Sequence, residues 1–493
     1  RRVLFRSVHA ASRVGVQSYR NKFLLPGDKK TQLEKTWGGL RCLILEEVSM
    51  IGADFYNMLL YRSFHGRRTR WHVKEADYDK LRGAFGRMPL VLHLGDFLQK
   101  KPIGQSSVSL IENLKEKERL GKLKPDFPPE WNMAMKLFCA VPYCFELQAS
   151  NRIKEPKLRA LMDFIRNPPK KIPDEIRSHW RSIQLAGNEA KLQEHRFQIG
   201  HMIGIYWSTV SRWMMMRAKR DASSLQTPLV LVQAADLCKP VMPLADAKKL
   251  MNAHNPYETG GMHGMLALHV GMRIRLLEKL DQMNTLVKDS EDAIGRIVPH
   301  PDDAARLENA TGTVYLTKLP IGIWVRMDKY DGAPFVKRLH DHDISLQSAD
   351  TRKLVFIEPF AAESAFTFRK VSVQRTGFPI SHAQVVTSTA CQGRTMPDGV
   401  LIDCGRQPPT GKNNDKGKDD DDWWLDLYVM LSRATRLEDL LLIRAPDLEF
   451  FAKGPPKTLC QQLAKFAKRT EACRAEAERI AKELGLDGFL RAE

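Results

Sequence analysis

The sequence lacks the cysteine spacing of metal-binding and disulfide-stabilised proteins. Its eight cysteines are scattered over 493 residues, and no two of them form a Cys-x-x-Cys pair. This spacing argues against a zinc site and against a disulfide framework, and it is typical of proteins in a reducing compartment. No apolar run approaches the roughly 18 residues of a membrane-spanning helix, so we expect neither zinc nor a membrane among the partners.

The chain also lacks the Gly-x-x-x-x-Gly-Lys-Ser/Thr loop, whose backbone N–H groups and lysine bind the phosphates of a nucleotide. It begins with Arg1 and not with methionine. We therefore expect that processing or an incomplete gene model has removed a preceding segment, together with any targeting peptide.

A chain of 493 residues is too long for one compact domain, so we expect two to four structural units. Hydrophobic residues make up 43% and charged residues 27%, which are the proportions of a globular protein. The formal net charge of +19 suits a polyanionic partner, because Lys and Arg release counterions from phosphates. A solvated basic surface explains the same charge equally well.

Two apolar segments near the start predict strands of a parallel sheet. LRCLILEEV (40–48) and MPLVLHLGDF (88–97) are each continuously apolar and end in acidic residues. Strands that are apolar on both faces are expected in a parallel sheet covered by helices. Ligands of such sheets bind at the carboxyl ends of the strands, where these acidic residues lie.

The rest of the chain alternates between helical and strand patterns. Residues 156–220 read as helical, and Trp207, Trp213 and Met214 to Met216 are predicted to be core residues, not a base-stacking platform. Short strands and turns over 262–374 predict a small β domain set inside an α/β lobe.

The last part of the chain contains a polar segment and an amphipathic helix. Residues 406–424 are polar and charged, which predicts an exposed insertion loop. From Leu459 onward, apolar residues recur at steps of three and four, with Thr470 as the one interruption. This stripe predicts a helix docked on the body, with a short coiled coil as the alternative.

Three groups of polar residues could carry chemistry. Glu46 and Glu47 end a buried strand, where carboxylates are costly unless a cation lies nearby. In a nucleoside triphosphatase one such carboxylate holds Mg²⁺ through water and the next polarises the attacking water. Gln99 offers an amide for a phosphate oxygen and a water, and the guanidinium of Arg433 could neutralise charge on a transferring phosphoryl group. Taken singly, each has an alternative: a strand that ends at a polar surface for Glu46 and Glu47, a strand-to-loop turn for Gln99, and a surface salt bridge for Arg433.

Four motifs occur in an order that is improbable by chance: Glu-Glu (46–47), Gly-Asp-Phe-x-Gln (95–99), Gln-Gly-Arg-Thr (392–395) and Tyr-Val-x-Leu-Ser-Arg (428–433). In this order they resemble the helicase motifs of the Pif-family, RecD-like DNA helicases of superfamily 1. Further similarity lies in SVHAAS (7–12), LQASNR (147–152), HVGMRIRLLEKLD (269–281) and VQRTGFPISHAQVVTSTACQGRT (373–395), so it covers nearly all of residues 5–450.

The resemblance implies an α/β fold with two RecA-like lobes, the core of P-loop NTPase helicases, and a small SH3-like β insertion. The implied units are a first lobe (1–146), a second lobe (147–261 and 375–450), the insertion (262–374) and a C-terminal helix (451–493). The implied activity is ATP-dependent, five-prime to three-prime translocation on single-stranded DNA and unwinding of forked duplex, with ATP and Mg²⁺ as cofactors. The implied setting is DNA replication, repair, recombination or telomere maintenance, in the nucleus or the mitochondrion.

The same resemblance assigns roles to residues. Glu46 would hold Mg²⁺ through water, Glu47 would be the catalytic base, and Gln99 would sense the γ-phosphate. The remaining assignments are arginine fingers at Arg152 and Arg433, a nucleotide contact at Gly393, and DNA contacts at Ser7, His9, Thr387, Gln392 and Thr395.

Several positions depart from the family pattern. Glu46 replaces Asp, Thr389 and Ala390 replace His-Lys, and Lys100 and Lys101 replace Leu-Pro. Because SVHAAS resembles a segment that follows the phosphate loop, truncation explains the missing loop, and we expect residues 1–493 alone to be a weak or inactive ATPase. Two alternatives stay open: a catalytically inactive nucleic-acid-binding protein of the helicase fold, and a related motor that acts on RNA.

Overall fold

The computed structural model describes residues 27–102, 108–112, 114, 128–147, 152–281, 286–327, 330, 353–405 and 420–485. In this part of the chain, no helix combines the length and the apolar character needed to cross a bilayer. The N-terminal SVHAAS segment, with Ser7 and His9, lies outside the described residues, as do residues 406–419 of the predicted loop.

The first lobe is built on two parallel strands, β1 (Cys42–Leu45) and β2 (Leu90–His93), in which Cys42 pairs with Leu90 and Leu45 with His93. The helices of this lobe are α1 (Gly27–Gly38), α2 (Ala53–Trp71) and α3 (Pro129–Cys139). Their apolar side chains form one core around the fully buried Trp37 and Leu45. The two predicted strands are confirmed. The expected cover of helices over both faces of the sheet is incomplete among the described residues, because Ile44 is 52% and Leu90 is 48% exposed.

The second lobe contains a four-stranded parallel sheet made of β3 (His201–Gly204), β16 (Val385–Thr387), β17 (Val400–Asp403) and β18 (Leu440–Ile443). Across the sheet the strands lie in the order β16-β3-β17-β18. The surrounding helices are α4 (Pro156–Arg166), α5 (Asp174–Ser182), α6 (His195–Ile199), α7 (Trp207–Ser224), α10 (Asp420–Leu431) and α11 (Leu448–Ala452). Strand β3 lies inside the segment that the sequence predicted to be helical, since four residues are too few to set a strand period.

Between β3 and β16 the chain forms a β-rich insertion. Its strands are β4 (Leu229–Gln233), β5 (Ala235–Lys239), β6 (Met265–Leu268), β7 (Arg273–Leu276), β8 (Glu291–Val298), β9 (Thr313–Tyr315), β10 (Gly322–Arg326), β11 (Leu354–Ile357), β12 (Phe360–Ala361), β13 (Phe366–Phe368), β14 (Val371–Gly377) and β15 (Ile380–His382), with helices α8 (Leu244–Met251) and α9 (Pro301–Glu308). Strand β4 pairs with β6 and β9, and β15 pairs with β7. Hydrogen bonding therefore extends the insertion beyond the sequence-based limits of 262 and 374, to about 229 and 382.

The methionines of α7 are not core residues, contrary to the sequence-based prediction. Met215 is 36% and Met216 is 64% exposed, and Trp207, Trp213 and Met214 are half-buried. The buried face of α7 carries smaller or hydrogen-bonded side chains: Thr209, Val210, Arg217, Ala218 and Ala222. Apolar composition alone did not indicate which face of this helix would pack.

The prediction of an exposed loop over 406–424 is wrong for its last five residues, which begin α10. Trp424 is only 2% exposed, because its ring stacks on Tyr428 one turn later, with ring centroids 5.3 Å apart. The Trp423 indole N–H donates to the carbonyl of Cys404 at 2.9 Å. Asp420, Asp421 and Asp422, which contributed to the loop prediction, form the first turn of this helix.

The C-terminal segment forms α12 (Lys457–Glu483), which docks on the body of the protein. Leu459 and Phe466 pack on the core of the first lobe, and Leu459 also contacts the core of the second lobe. Thr470, which interrupts the apolar stripe, is buried and donates to the sulfur of Cys144 at 3.6 Å. Beyond the C-terminal end of α12 the apolar stripe is no longer packed, since Leu484 is 66% exposed.

Buried histidines give this fold a predicted sensitivity to acid. Burial lowers the pKa of His263 and of His382 to about 3. The unfolded chain therefore binds more protons below about pH 6.5, and stability is full above that pH and falls toward pH 3. Between pH 7 and pH 5.5 we expect a loss of about 1 kcal/mol for each of the two histidines.

Urea unfolding at the two pH values measures this loss. His263→Gln should show a smaller difference between pH 7 and pH 5.5 than the unmodified chain, whereas exposed His254→Gln should show the same difference. Equal pH dependence in all three proteins would contradict the assignment.

Candidate active site

The two adjacent carboxylates follow β1 at a sharp change of backbone direction. Glu47 has φ 51° and ψ 45°, in the left-handed region, and precedes a 3-10 turn over Val48–Met50. The amide of Val48 donates to the carbonyl of Leu94 at 3.0 Å, which joins the ends of β1 and β2. A Cβ on Gly95 would lie 2.8 Å from the Val48 nitrogen, so this close approach requires glycine. Glu46 is exposed, and Glu47 is half-buried.

The turn after β2 is fixed by Asp96. Its carboxylate accepts the Leu98 N–H at 3.0 Å, and its carbonyl accepts the Gln99 N–H at 3.0 Å. The side-chain oxygen of Gln99 is buried and has no hydrogen-bond partner among the described residues. An orphaned acceptor at this position can hold a water or a metal-bound group.

The second lobe reaches Glu47 through the loop after β16. The Gln392 amide donates to Oε2 of Glu47 at 2.9 Å. Gly393 has φ 75°, and a Cβ there would be 3.7 Å from Oε1 of Glu47. Two residues predicted to contact DNA and nucleotide, Gln392 and Gly393, therefore lie directly against the predicted catalytic base.

Arg433 lies behind this loop, fully buried in the second lobe. Its guanidinium donates to the carbonyls of Val429 at 2.8 Å and Arg394 at 3.1 Å, and to the Ser432 hydroxyl at 2.6 Å. The pKa of Arg433 is lowered to about 10, mainly by burial; the charge of Arg152 also lowers it, whereas Cys391 and Glu47 raise it. The side chain stays protonated at neutral pH and holds the 391–396 loop in place.

Arg152 lies at the edge of the same loop. It donates to the Thr395 hydroxyl at 3.0 Å and to the Ser432 carbonyl at 3.3 Å. It lines an open pocket of about 830 Å³ together with Lys154, Glu155, Thr395, Thr435 and Arg436. Three cations and two hydroxyls in one pocket are groups that bind phosphate oxygens.

The predicted DNA contacts do not all share one surface. Thr387 is 6% exposed, and its hydroxyl accepts the Ala390 N–H at 3.3 Å, so it has an internal partner. Thr395 is exposed and faces Arg152, while Gln392 faces Glu47. Which of these groups contact nucleic acid stays a prediction.

These residues fit one end of a Mg²⁺-nucleotide. Carboxylate oxygens of Glu46 and Glu47 are hard ligands of the kind that Mg²⁺ prefers, and the orphaned Gln99 oxygen adds an acceptor. Arg152 and Arg433 supply positive charge near the same position for a terminal phosphate. The rest of the nucleotide has no glycine-rich cradle in this sequence.

Sequence reasoning missed the ion pairs that join the two lobes. Lys100 pairs with Asp426 and Lys101 pairs with Asp422 at 3.0 Å, which joins the first lobe to α10. The sequence contained a sign of these pairs: Lys100 and Lys101 are consecutive, and Asp422 and Asp426 are spaced by one helical turn. Reading residues 406–424 as a loop concealed that spacing.

A second polar contact lies beside these pairs. Asp96 accepts the Tyr428 hydroxyl at 3.3 Å and lies 3.5 Å from the guanidinium of Arg166. Burial raises the pKa of Tyr428, and the negative charge of Asp96 raises it further. The phenol therefore remains a hydrogen-bond donor to the first lobe at all physiological pH values.

Comparisons with known proteins bear on the fold. No family model matches the chain, and no curated protein matches it in sequence. Among solved structures, one of two coordinating Pif1 helicases that unwind forked double-stranded DNA is similar with a TM-score of 0.53 at 16% identity, over 97% of this chain and 84% of that one. Bacteroides Pif1 bound to ADP-AlF3 and single-stranded DNA has a TM-score of 0.52 at 15% identity, over 94% and 83%. Bacteroides Pif1 bound to single-stranded DNA has a TM-score of 0.52 at 16% identity, over 97% and 84%.

The chain therefore has a Pif1-like helicase fold, a mixed α/β architecture with parallel sheets that matches the RecA-like core. At this level of identity the likeness concerns the arrangement of the backbone. The chemistry rests on the residues described above.

The ion pair of Lys100 should contribute much more to stability than that of Lys101. The side chains of Lys100 and Asp426 are 13% and 1% exposed, so Lys100→Ala leaves a buried carboxylate uncompensated, at a cost of roughly 3 kcal/mol. Lys101 and Asp422 are 43% and 49% exposed, so Lys101→Ala should cost under about 1 kcal/mol. Urea unfolding of the two variants gives the comparison. Equal losses in both would show that the Lys100 pair is screened by solvent.

Proposed function

We propose that this protein is an ATP-dependent DNA helicase that moves along single-stranded DNA from five-prime to three-prime and separates duplex ahead of it. The observation that carries the proposal is the hydrogen bond from Gln392 to Glu47, because it joins a carboxylate of one lobe to a loop of the other. A motor of this fold needs such a contact, since hydrolysis in the cleft must change the relation of the lobes.

The proposed roles follow from the chemistry of each group. Bound Mg²⁺-ATP supplies the phosphoanhydride bond whose hydrolysis releases the free energy for movement. Glu46 would hold the metal, and Glu47 would accept a proton from the attacking water. Gln99 orients that water, and Arg152 with Arg433 neutralises negative charge at the transferring phosphoryl group.

For Arg433 to act in this way, its hydrogen bonds to the 391–396 loop must rearrange. In this structure its three nitrogens all donate to groups of the second lobe. Rearrangement of the loop when the cleft closes would move Gln392, Gly393 and Thr395 together. The predicted DNA contacts Gln392 and Thr395 would then move at the same time as Arg433 loses its hydrogen bonds to the loop.

The partner proposed for the basic surface is single-stranded DNA and the fork where it meets duplex. The formal charge of +19 supports attraction to a phosphate backbone. Binding through backbone contacts and base stacking depends little on sequence. We place this activity in DNA replication, repair, recombination or telomere maintenance, in the nucleus or mitochondrion.

A test of DNA binding needs neither ATP nor turnover. Affinity for single-stranded DNA should fall with salt, with a log–log slope of about −0.7 for each phosphate contacted. Fluorescence anisotropy with matched single-stranded DNA, duplex DNA and single-stranded RNA measures this, and single-stranded DNA should bind most tightly. Equal affinity for single and double strands, or binding indifferent to salt, would overturn the proposed DNA path. Tighter binding to RNA would favour a motor that acts on RNA.

A test of catalysis uses a version of the protein in which a phosphate loop of the Gly-x-x-x-x-Gly-Lys-Ser/Thr type is joined ahead of residue 1, because the proposed mechanism requires such a loop. Glu47→Gln should abolish DNA-stimulated ATP hydrolysis and leave ATP binding nearly unchanged, because it removes a base and not a binding contact. Glu308→Gln, on exposed α9, is the matched control and should keep full turnover. Normal turnover by Glu47→Gln would show that the base lies elsewhere. DNA binding without hydrolysis in the unmodified protein would favour a catalytically inactive binding protein.

A further inference from the structure

Helix α12 follows the backbone of the segment that joins the two lobes. Arg469 donates to the carbonyls of Cys139 at 2.9 Å and Val141 at 2.8 Å, and Arg474 donates to the carbonyl of Glu146 at 3.0 Å. The Glu146 carboxylate in turn lies 3.1 Å from Arg166 of the second lobe. The joining segment is therefore held between the first lobe, α12 and the second lobe.

Two cysteines meet in the middle of this contact. The amide of Cys144 lies 3.4 Å from the sulfur of Cys473, and the Thr470 hydroxyl lies 3.6 Å from the sulfur of Cys144. Thr470 and Cys473 are neighbours on one face of α12, so both contacts place Cys144 over the same helical turn. Since N–Cα is about 1.46 Å, the Cys473 sulfur lies at most about 4.9 Å from the Cys144 Cα, so the two cysteines are close neighbours.

The neighbouring side chains show that Cys144 is turned toward the helix. Tyr143 is 72% and Phe145 is 58% exposed, whereas Cys144 between them is half-buried. The nearby Cys139 faces away, with its sulfur 3.9 Å from the Leu110 carbonyl inside the first lobe. Within the described residues these sulfurs belong to no group of three or more metal-binding side chains.

We propose that Cys144 and Cys473 form a reversible disulfide that fastens the segment between the lobes to α12. The oxidant is a small-molecule disulfide of the glutathione type. The thiolate of the more accessible Cys144 attacks one sulfur of the oxidant, forms a mixed disulfide and releases one thiol. The Cys473 thiolate then attacks the Cys144 sulfur and releases the second thiol. Two protein thiols lose two electrons, the oxidant gains them, and the protons pass through solvent to the leaving thiolates.

The bond would close a loop spanning 329 residues, which is most of the chain. Cross-links of long loops restrict the unfolded state strongly. The bond would also fix Cys144 to a helix that packs on the core of the first lobe. This inference is independent of the proposed helicase activity, because neither nucleotide nor DNA enters it.

The experiment equilibrates the reduced full chain in glutathione buffers of increasing oxidised fraction, followed by acid quenching and alkylation with N-ethylmaleimide. Intact mass counts the remaining thiols, and peptide mapping identifies cross-linked pairs. We expect two thiols to disappear together, with no glutathione adduct in the intact mass, and the cross-linked peptide pair to contain Cys144 and Cys473. Dithiothreitol should restore both.

Substitution of single cysteines shows which two residues form the cross-link. Cys144→Ser and Cys473→Ser should each abolish the cross-link, and Cys473→Ala serves if serine at this buried position impairs folding. Cys460→Ser removes an exposed cysteine and should leave the cross-link intact. The oxidised chain should also melt at least about 2 °C above the reduced chain, with no such rise for Cys144→Ser. Separate glutathionylation of the two cysteines, persistent free thiols, or a cross-link to Cys139 would overturn the proposal.

Discussion

The two lobes meet through a buried pair of opposite charges, Lys100 and Asp426. Neither charge is stable away from water without the other, so the pair fixes where β2 and α10 approach each other. The neighbouring contact of Asp96 with Tyr428 and Arg166 lies along the same boundary. With the lobes held in this relation, the loop after β16 faces the end of β1. Every inter-lobe feature of the candidate site, including the contact of Gln392 with Glu47, depends on that boundary.

The residues of the candidate site are divided between the two lobes. The first lobe contributes the carboxylates and Gln99, on turns fixed by Gly95 and Asp96. The second lobe contributes the cations and the 391–396 loop, which is tied internally by Arg433. The groups that the proposed mechanism brings together therefore lie on different lobes.

The C-terminal helix adds a third body to this arrangement. It begins beside the second lobe and runs along the first, with Leu459 in contact with both cores. Its hydrogen bonds go largely to backbone carbonyls of the joining segment, which have no intrahelical partners of their own. A helix in this position limits the directions in which the lobes can separate. The segment it holds is the one about which they must turn.

The sequence by itself determined the elements whose signal is local. Continuous apolar runs ending in Glu46–Glu47 and Asp96 predicted β1 and β2, the stripe from Leu459 predicted α12, and four ordered motifs predicted the helicase fold that the structural comparisons support. Tertiary structure alone decided which side chains meet across long separations. The pairing of Lys100 with Asp426 and of Gln392 with Glu47 joins residues more than 300 positions apart, and no local period encodes such a contact. Tertiary packing also decided which face of α7 is buried and that residues 420–424 belong to a helix. The same polar or apolar residues can form a loop, a core or a helix face, and the neighbouring surface determines which.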